Sequence, residues 1–310
     1  MMSRLPAQRG AALITAILIT AIATIAAVAM ASRQHLDIRR TSNVIESSQA
    51  YLFALGAEEW GRQILIRDGK DNKVDHLEEP WATTLPPIDV EGGRVAGKIE
   101  DLQGRFNLNN LVKDKQPSQA DVARFQRLLR QLALDDALAQ AVLDWIDENE
   151  DVSIPGGAED FEYLGRTPPY RTPNGMMAST SELLLIKGID RTAYNALLPY
   201  VTVLPEYTAI NVNTASVELL MALVDGLTQS EADQLIEARG ENGFATVADF
   251  VNHAAIAGRI TDNSALSVQT KYFIINAASE FGRGRANLYS LMVRDDKANV
   301  EVAMRAQGVY

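Results

Sequence analysis

The most prominent hydrophobic feature of the chain is one long apolar run near its start. It extends over Ala11–Ala31, reads AALITAILITAIATIAAVAMA and contains no charged residue. A helix rises about 1.5 Å per residue, so a run of this length crosses a bilayer core of about 30 Å. Beyond it, apolar positions such as Ile38, Ile45 and Leu52 recur at helical spacing, and no proline occurs before Pro80. The pattern predicts one helix of about fifty residues, apolar at first and amphipathic later.

The remainder of the chain alternates between β-type and helical patterns. After a predicted loop over Asp68–Pro87, apolar residues around Gly92 and Gly104 indicate short strands. The segments KYFIINAASEF, ANLYSLMVRDD and NVEVAMRAQGVY near the end of the chain predict three more strands, joined by turns. Between these two β regions, over Val112–Ser267, the apolar residues recur at helical spacing. We therefore predict a small sheet that is interrupted in sequence by a helical insertion.

Two short motifs within the helical region mark helix starts. Ser179 is followed by Glu182, and Thr228 is followed by Glu231. Each pair fits the capping box, in which a hydroxyl and a carboxylate satisfy the free N–H groups of the first helical turn.

Composition excludes several classes of function. The chain has 40 acidic and 29 basic residues and a formal charge of −11, which disfavours general attachment to phosphate backbones. It has no cysteine, so disulfides, thiolate metal sites and cysteine nucleophiles are excluded. Its three histidines lie far apart and show no ligand spacing. Hydrolase and nucleotide-binding motifs are absent, so we expect a head that is not an enzyme.

The N-terminal ten residues carry the first specific resemblance. They read MMSRLPAQRG, with Arg4 and Arg9 as the only charges, and the long apolar helix follows directly. A short basic leader that ends in glycine before such a helix resembles the class III signal of type IV pilins and pseudopilins. The resemblance implies that prepilin peptidase cuts after Gly10, so that the mature chain begins at Ala11 and is methylated there. It also implies a single-pass protein of the bacterial inner membrane with its head in the periplasm.

One position departs from the usual pattern of that family. Most members carry glutamate at the fifth mature position, where this chain has Thr15. The simpler interpretation of Thr15 is a membrane threonine that bonds back to its own helix. The missing glutamate and the large head together resemble the K-type minor pseudopilins of type II secretion. That resemblance implies a subunit at the filament tip, because Thr15 brings no buried charge for a neighbouring subunit to neutralise.

The resemblance to K-type pseudopilins covers essentially the whole chain and implies its organisation. The fold class is α+β: a pilin-like long N-terminal helix and a small antiparallel sheet, with a large all-α domain inserted into the sheet region. The expected parts are a leader (1–10), an assembly helix (11–31), a pilin-like domain (32–111 and 268–310) and an inserted domain of two helical units (112–267). The expected partners are the I-type and J-type minor pseudopilins and the other pseudopilins of the filament.

The densest cluster of acidic residues lies between 144 and 163. Asp147, Asn149 and Asp151 alternate as D-x-N-x-D, and a proline and two glycines allow the chain to turn so that Glu159 and Asp160 close a loop of oxygen ligands. Oxygen ligands without histidine or cysteine favour calcium. From the residues alone, a solvated acidic loop remains the alternative. Because K-type pseudopilins bind calcium in this region, the resemblance implies a structural calcium site here.

A second segment, 209–251, resembles helix-hairpin-helix DNA-binding modules and begins with the N-x-N-T-A motif at Asn211. Such modules hold phosphate with the N–H groups of a G-h-G hairpin. The corresponding hairpins here, Lys187–Asp190 and Asp225–Thr228, each lack the second glycine and carry an aspartate. We expect a structural or protein-docking role and no nucleic-acid partner. A membrane-tethered DNA-uptake protein and an anchored hydrolase remain the alternatives to a tip pseudopilin.

Overall fold

The computed structural model describes residues 9–260 and 262–308, and for Arg9 and Gly10 it gives the backbone only. In this part of the chain the α-helices are α1 Arg9–Asp71, α2 Gln119–Gln131, α3 Leu138–Ile146, α4 Asp160–Leu164, α5 Arg191–Leu197, α6 Val217–Leu223, α7 Gln229–Arg239 and α8 Val247–Val251. Short 3-10 helices cover Pro80–Ala82, Leu108–Leu111 and Thr180–Leu185.

The strands of the same residues belong to one main sheet and to several two-residue bridges. They are β1 Leu85–Val90, β2 Gly93–Asp101, β3 Phe106–Asn107, β4 Val112–Lys113, β5 Gln116–Pro117, β6 Val201–Thr202, β7 Ile210–Asn211, β8 Leu266–Ser267, β9 Tyr272–Phe281, β10 Gly284–Arg294 and β11 Val300–Gln307.

The main sheet is antiparallel throughout, with the strand order β1-β2-β9-β10-β11. Strands β2 and β9 are direct neighbours, paired from Gly93 opposite Phe281 to Asp101 opposite Phe273. All the helices from α2 to α8 lie between these two strands in sequence. The predicted α+β fold, with a helical insertion in a pilin-like sheet, is confirmed.

Helix α1 packs its C-terminal half across this sheet through small side chains. Ala50, Ala54 and Ala57 are buried and recur at intervals of four and three, which places them on one face of the helix. At Gly61, a Cβ atom would lie 2.8 Å from Ile275 Cδ1, so only glycine allows the helix to approach the sheet this closely. Leu65 extends the contact into a second cluster of buried residues around Phe273.

The predicted loop over Asp68–Pro87 is wrong at both of its ends. The helix continues to Asp71, and Pro86 and Pro87 lie within β1. Proline is tolerated in β1 because this strand is at the edge of the sheet, where a missing N–H leaves no neighbour unpaired. Polar composition alone therefore misplaced both boundaries.

Two matching asparagine motifs, FNLNN and INVNT, open the two parts of the inserted segment. Asn109 donates to the carbonyl of Met177 at 3.0 Å and accepts from its N–H at 2.9 Å. Asn213 binds both backbone groups of Phe244 in the same way, at 3.1 and 2.7 Å. An amide suits this role because it carries a donor and an acceptor side by side. Both parts are thus held by the same side-chain clasp.

The inserted segment is joined to the sheet by a buried carboxylate at the end of β2. Asp101 accepts from Thr214 Oγ1 and Thr270 Oγ1, both at 2.6 Å, and from Asn211 Nδ2 at 3.0 Å. It also accepts from the N–H of Gln103 at 2.6 Å. Burial raises the pKa of Asp101, while these hydrogen bonds act in the opposite direction. The N-x-N-T motif therefore has a structural use at the junction between sheet and insertion.

Candidate functional site

The acidic loop of the inserted segment lies between α3 and α4, and its key carboxylates are at the two helix ends. Asp147 is the C-cap residue directly after α3, and Glu159 is the N-cap residue directly before α4. Asp144, one helical turn before Asp147, is completely buried, while Asp147 and Glu159 are only 2% and 4% exposed. The fold thus buries three carboxylates at the two ends of the loop.

The three buried carboxylates of this loop form no ion pair with a basic residue in the described part of the chain, whereas Glu148 of the same loop pairs with Lys115. Burial, followed by repulsion from Asp144 and Asp147, raises the pKa of Glu159 to about 7. Burial also raises the pKa of Asp147 and of Asp144. Asp144 is relieved in part because it accepts from the N–H of Ser153 at 3.0 Å. Crowded carboxylates with raised pKa values either hold a proton or are bridged by a cation.

Three buried oxygens in this region have no hydrogen-bond partner. Across residues 11–260 and 262–308, five buried side-chain nitrogen or oxygen atoms lack a hydrogen-bond partner. Three of them are Asp147 Oδ1, Glu159 Oε1 and Asn174 Oδ1. Asn174 belongs to the same region because its Nδ2 donates to the carbonyl of Asn149 at 3.2 Å. Carboxylate and amide oxygens are the ligands that calcium prefers, so these residues fit the expected ion.

The other predicted ligands have different surroundings. Asn149 Oδ1 accepts from the N–H of Asp151 at 2.7 Å, and both residues are exposed. Asp160 accepts from the N–H of Thr172 at 3.0 Å and pairs with Arg171 at 3.2 Å. Of the five predicted ligands, Asp147 and Glu159 are close enough to repel each other, whereas the other three face local partners or solvent.

Asp144 and Asn174 lie in the same region but were not among the predicted ligands. Asp144 lies three residues before Asp147 on α3, so helical spacing offered a signal for it. Asn174 follows a long irregular segment after α4, and no spacing rule connects it to the loop.

A second carboxylate cluster lies where α1 ends. Oxygens of Asp68, Asp75 and Glu79 all lie within 4.8 Å of one another. The guanidinium of Arg294, from β10, occupies the position of a cation, with Nη1 at 2.8 Å from Asp68 and Nη2 at 2.5 Å from Asp75. Glu79 accepts from Trp81 Nε1 at 2.7 Å. Burial and the neighbouring carboxylates nevertheless raise the pKa of Asp68 to about 7. This cluster ties the helix to the sheet.

The two hairpins that resemble helix-hairpin-helix modules are capped by their own side chains. Asp190 Oδ1 accepts from the N–H of Ala193 at 2.8 Å at the start of α5. Thr228 and Glu231 form the predicted capping box of α7, and Ser179 with Glu182 forms the other, which starts a 3-10 helix. Side chains of the chain itself therefore bind one N–H group at the start of α5 and two at the start of α7.

The N-terminal part of α1 supplies the remaining predicted residues. Thr15 Oγ1 donates to the carbonyls of Ala11 and Ala12 at 3.1 and 3.0 Å. Its hydroxyl is thus satisfied within its own helix. The helix is long and apolar enough to cross a membrane. Of the predicted processing point, Gly10 is described by its backbone only, and residues 1–8 lie outside the described part of the chain.

Comparison with known proteins places these features in a family. Two family models, both described as type II secretion system, protein K, match residues 104–206 and 210–269. The type II secretion system protein K of Pseudomonas aeruginosa is 36% identical, over 97% of this chain and 93% of the relative. The protein of the same name from Klebsiella pneumoniae is 34% identical, over 98% of this chain and 97% of the relative.

A solved structure agrees with the sequence comparisons. A chain of the GspK-GspI-GspJ complex from the type 2 secretion system of enterotoxigenic Escherichia coli superimposes with a TM-score of 0.78 at 28% identity. The match covers 87% of this chain and all of that one. This protein belongs to the type II secretion system protein K family.

Proposed function

We propose that the protein is a minor pseudopilin that caps the tip of the periplasmic pseudopilus and helps to initiate its assembly for protein secretion. The observation that carries the proposal is the surface of α1. Residues 11–45 are exposed without exception, whereas the rest of the helix packs on the sheet. Within it, the apolar surface of Ala11–Ala31 needs lipid before assembly and neighbouring helices afterwards. In this proposal the function of the chain is assembly.

The partners follow from the structural relative. The E. coli chain that this protein resembles is part of a complex named for GspK, GspI and GspJ. We extend this to the present chain and propose the I-type and J-type minor pseudopilins of its own secretion system as partners. Other pseudopilins of the filament join below them.

Two features support a position at the tip. Thr15 satisfies its hydroxyl within α1, so it presents no charge that a subunit above would have to neutralise. The helices inserted between β2 and β9 also give the head a bulk that would obstruct a further subunit stacked above it.

Processing precedes assembly in this proposal. Prepilin peptidase removes the leader after Gly10, and Ala11 becomes the methylated N-terminus. Before assembly, the helix anchors the protein once in the inner membrane, with the head in the periplasm. The N-terminal part of α1 is long and apolar enough to cross a membrane, which supports such an anchor.

Calcium has a structural role in this proposal. Asp144, Asp147, Glu159 and Asn174 would hold the ion, which supplies positive charge to carboxylates that otherwise repel each other. By joining the end of α3 to the start of α4, the ion would hold a long loop in one conformation.

The proposal is tested in a bacterium that lacks its own K protein. The full-length chain is expressed there with the I-type and J-type proteins of its own system and an affinity tag on the J-type protein. We expect all three to purify together and secretion of the native cargo to be restored. Secretion without the chain, or purification of the I-type and J-type proteins alone, would contradict the proposal.

A further inference from the structure

Four buried carboxylates lie where α1, the main sheet and the inserted segment meet. Asp68 belongs to the last turn of α1, Asp75 and Glu79 to the segment that follows it, and Asp101 to the end of β2. None of the four residues is more than 9% exposed. The guanidinium of Arg294 lies among them, at 2.8 Å from Asp68 and 2.5 Å from Asp75. Negative groups therefore outnumber the positive charge that is buried with them.

The groups that face Asp68 come from each element packed against it. On α1 itself, the neighbouring charged residues Lys70 and Asp71 are exposed. Lys73 is directed away, because its Nζ donates to the carbonyl of Gly69 at 3.2 Å. The charged and titratable groups of the cluster are Arg294 of β10, Asp75, His76 and Glu79 of the segment after α1, and Asp101 of β2.

Among these carboxylates, Asp68 has the fewest hydrogen-bond donors in residues 11–260 and 262–308. Asp101 accepts from four donors and Glu79 from three. Asp75 accepts from Arg294 and from a backbone N–H. Asp68 accepts from Arg294 alone. Because donors stabilise the ionised form of a carboxylate, Asp68 is the member of the cluster that is best suited to hold a proton.

Burial acts on Asp68 in the same direction as this shortage of donors. Burial, followed by the charges of Glu79 and Asp75, raises the pKa of Asp68 from 3.8 to about 7, and Arg294 offsets the rise only in part. The contribution of Asp68 to stability is therefore fully present below about pH 3.8 and is lost as the pH rises to about 7. Its ionisation adds a negative charge close to Asp75 and Glu79, since oxygens of all three lie within 4.8 Å of one another.

Thr270 connects the cluster to the inserted segment. Its N–H donates to Asp75 Oδ2 and its hydroxyl to Asp101 Oδ2, both at 2.6 Å. Its carbonyl accepts from Arg294 Nη2 at 3.0 Å. Thr270 lies between β8, which ends the insertion, and β9 of the sheet. Asn211, inside the insertion, donates to the carbonyl of Asp75 at 3.0 Å. The cluster thus holds both the end of the insertion and its second asparagine motif.

We propose that Asp68 is the switch residue of a pH-sensitive joint, at which loss of its proton loosens the inserted segment from α1 and the sheet. Repulsion from ionised Asp68 acts on Asp75, which binds Thr270 and Asn211. The joint makes the attachment of the insertion depend on the pH around the head. This inference rests on the fold and not on the proposed function, so either can fail without the other.

The first test is hydrogen exchange of the full-length wild-type chain in detergent between pH 5 and pH 9. Calcium is present throughout, and rates are corrected for the intrinsic effect of pH on exchange. The reporters are the N–H groups of Thr270 and Asp75, which donate to Asp75 Oδ2 and to the carbonyl of Val268. The reference is the N–H of Ala232 in α7, which donates to the carbonyl of Thr228 at 3.0 Å.

We expect protection at the two reporters to fall at least about tenfold between pH 5 and pH 7, since each pKa unit corresponds to a tenfold change. The fall should level off above about pH 7, where Asp68 is ionised in the folded chain as well. Protection at Ala232 should stay constant. These expectations concern the wild-type chain and need no substitution.

The second test removes the proton-binding group. Asp68→Asn keeps the shape of the side chain and cannot ionise. Its matched control is Asp71→Asn, which changes an exposed carboxylate three residues further along α1. We expect Asp68→Asn to keep the high protection of the low-pH state up to pH 9, and Asp71→Asn to behave as wild type.

The possible results separate a local joint from other causes. Constant protection of the wild-type reporters across this pH range would overturn the inference. An equal fall at Ala232 would show a general loss of stability and overturn it as well. A fall that persists in Asp68→Asn would remove Asp68 as the switch residue. Failure of the chain to join its partner pseudopilins would contradict the proposed function and leave the joint standing.

Discussion

The acidic loop allows one prediction to be worked out in detail through the substitution Glu159→Gln. In the folded chain without metal, the pKa of Glu159 is raised from 4.5 to about 7. The unfolded chain therefore releases this proton at a lower pH than the folded chain does. The contribution of Glu159 to the stability of the folded chain is therefore highest below about pH 4.5, falls as the pH rises to about 7, and stays low above it.

The size of this effect follows from the pKa difference. Each pKa unit corresponds to about 1.4 kcal/mol, so ionising the buried Glu159 carboxyl destabilises the metal-free protein by up to about 3 kcal/mol. Glu159→Gln removes the charge and keeps the shape. At about pH 8 in the presence of a chelator, we expect the free energy of unfolding of the variant to exceed that of wild type by about 2–3 kcal/mol. This difference raises the melting temperature by about 4–9 °C.

Calcium should act in the opposite direction, because it binds the ionised carboxylates of the native state only. A ligand that binds only the native state, at a free concentration about a hundred times its dissociation constant, raises the free energy of unfolding by about 2.7 kcal/mol. The assay is thermal unfolding of the full-length chain in detergent, with calcium and with chelator. Wild type should gain stability from calcium, and Glu159→Gln should gain much less.

The matched control for this experiment is Glu150→Gln, which removes an exposed carboxylate of the same loop. It should behave as wild type in both conditions. Equal melting temperatures of wild type with calcium and with chelator would refute the metal site. Identical behaviour of Glu159→Gln and Glu150→Gln would refute the electrostatic reasoning.

Three further predictions address other parts of the structure. Asn109→Leu leaves the N–H and carbonyl of Met177 buried and unbonded, so urea unfolding should show a free energy of unfolding that is about 3 kcal/mol lower than that of wild type. A decrease below about 1 kcal/mol would contradict the role of Asn109 as a clasp. Arg294→Met leaves Asp68 and Asp75 without their cation, so we expect the free energy of unfolding at neutral pH to fall by about 3–5 kcal/mol in the same assay. An unchanged free energy of unfolding would contradict the pairing of Arg294 with these carboxylates. Thr15→Glu should leave folding intact but impair filament initiation and secretion; unchanged secretion would remove the argument for a tip position.

The features that the sequence predicted correctly depend on local rules. The three C-terminal strands follow from apolar segments separated by short turns, and β9, β10 and β11 lie where those segments do. Both capping boxes follow from residues only three positions apart. The long N-terminal helix follows from an apolar run without proline, although it extends further than predicted, to Asp71.

The features that it did not predict depend on contacts between distant residues. The partners of Asn109 and Asn213 lie 68 and 31 residues away, and nothing in the motifs specifies them. Asn174 joins the acidic loop only because the chain returns to it after α4. An apolar groove lined by Leu52, Trp60 and Ile88 likewise combines α1 with β1, and no periodicity of either element could have shown it.

The central claim, that this chain is a processed pseudopilin, is tested most directly at its N-terminus. The intact mass and N-terminal sequence are measured for the protein recovered from cells with and without prepilin peptidase. The account predicts a mature chain that begins at Ala11 only when the peptidase is present. A chain that keeps Met1 in both strains, or that begins after Ala29 or Ala31, would contradict it.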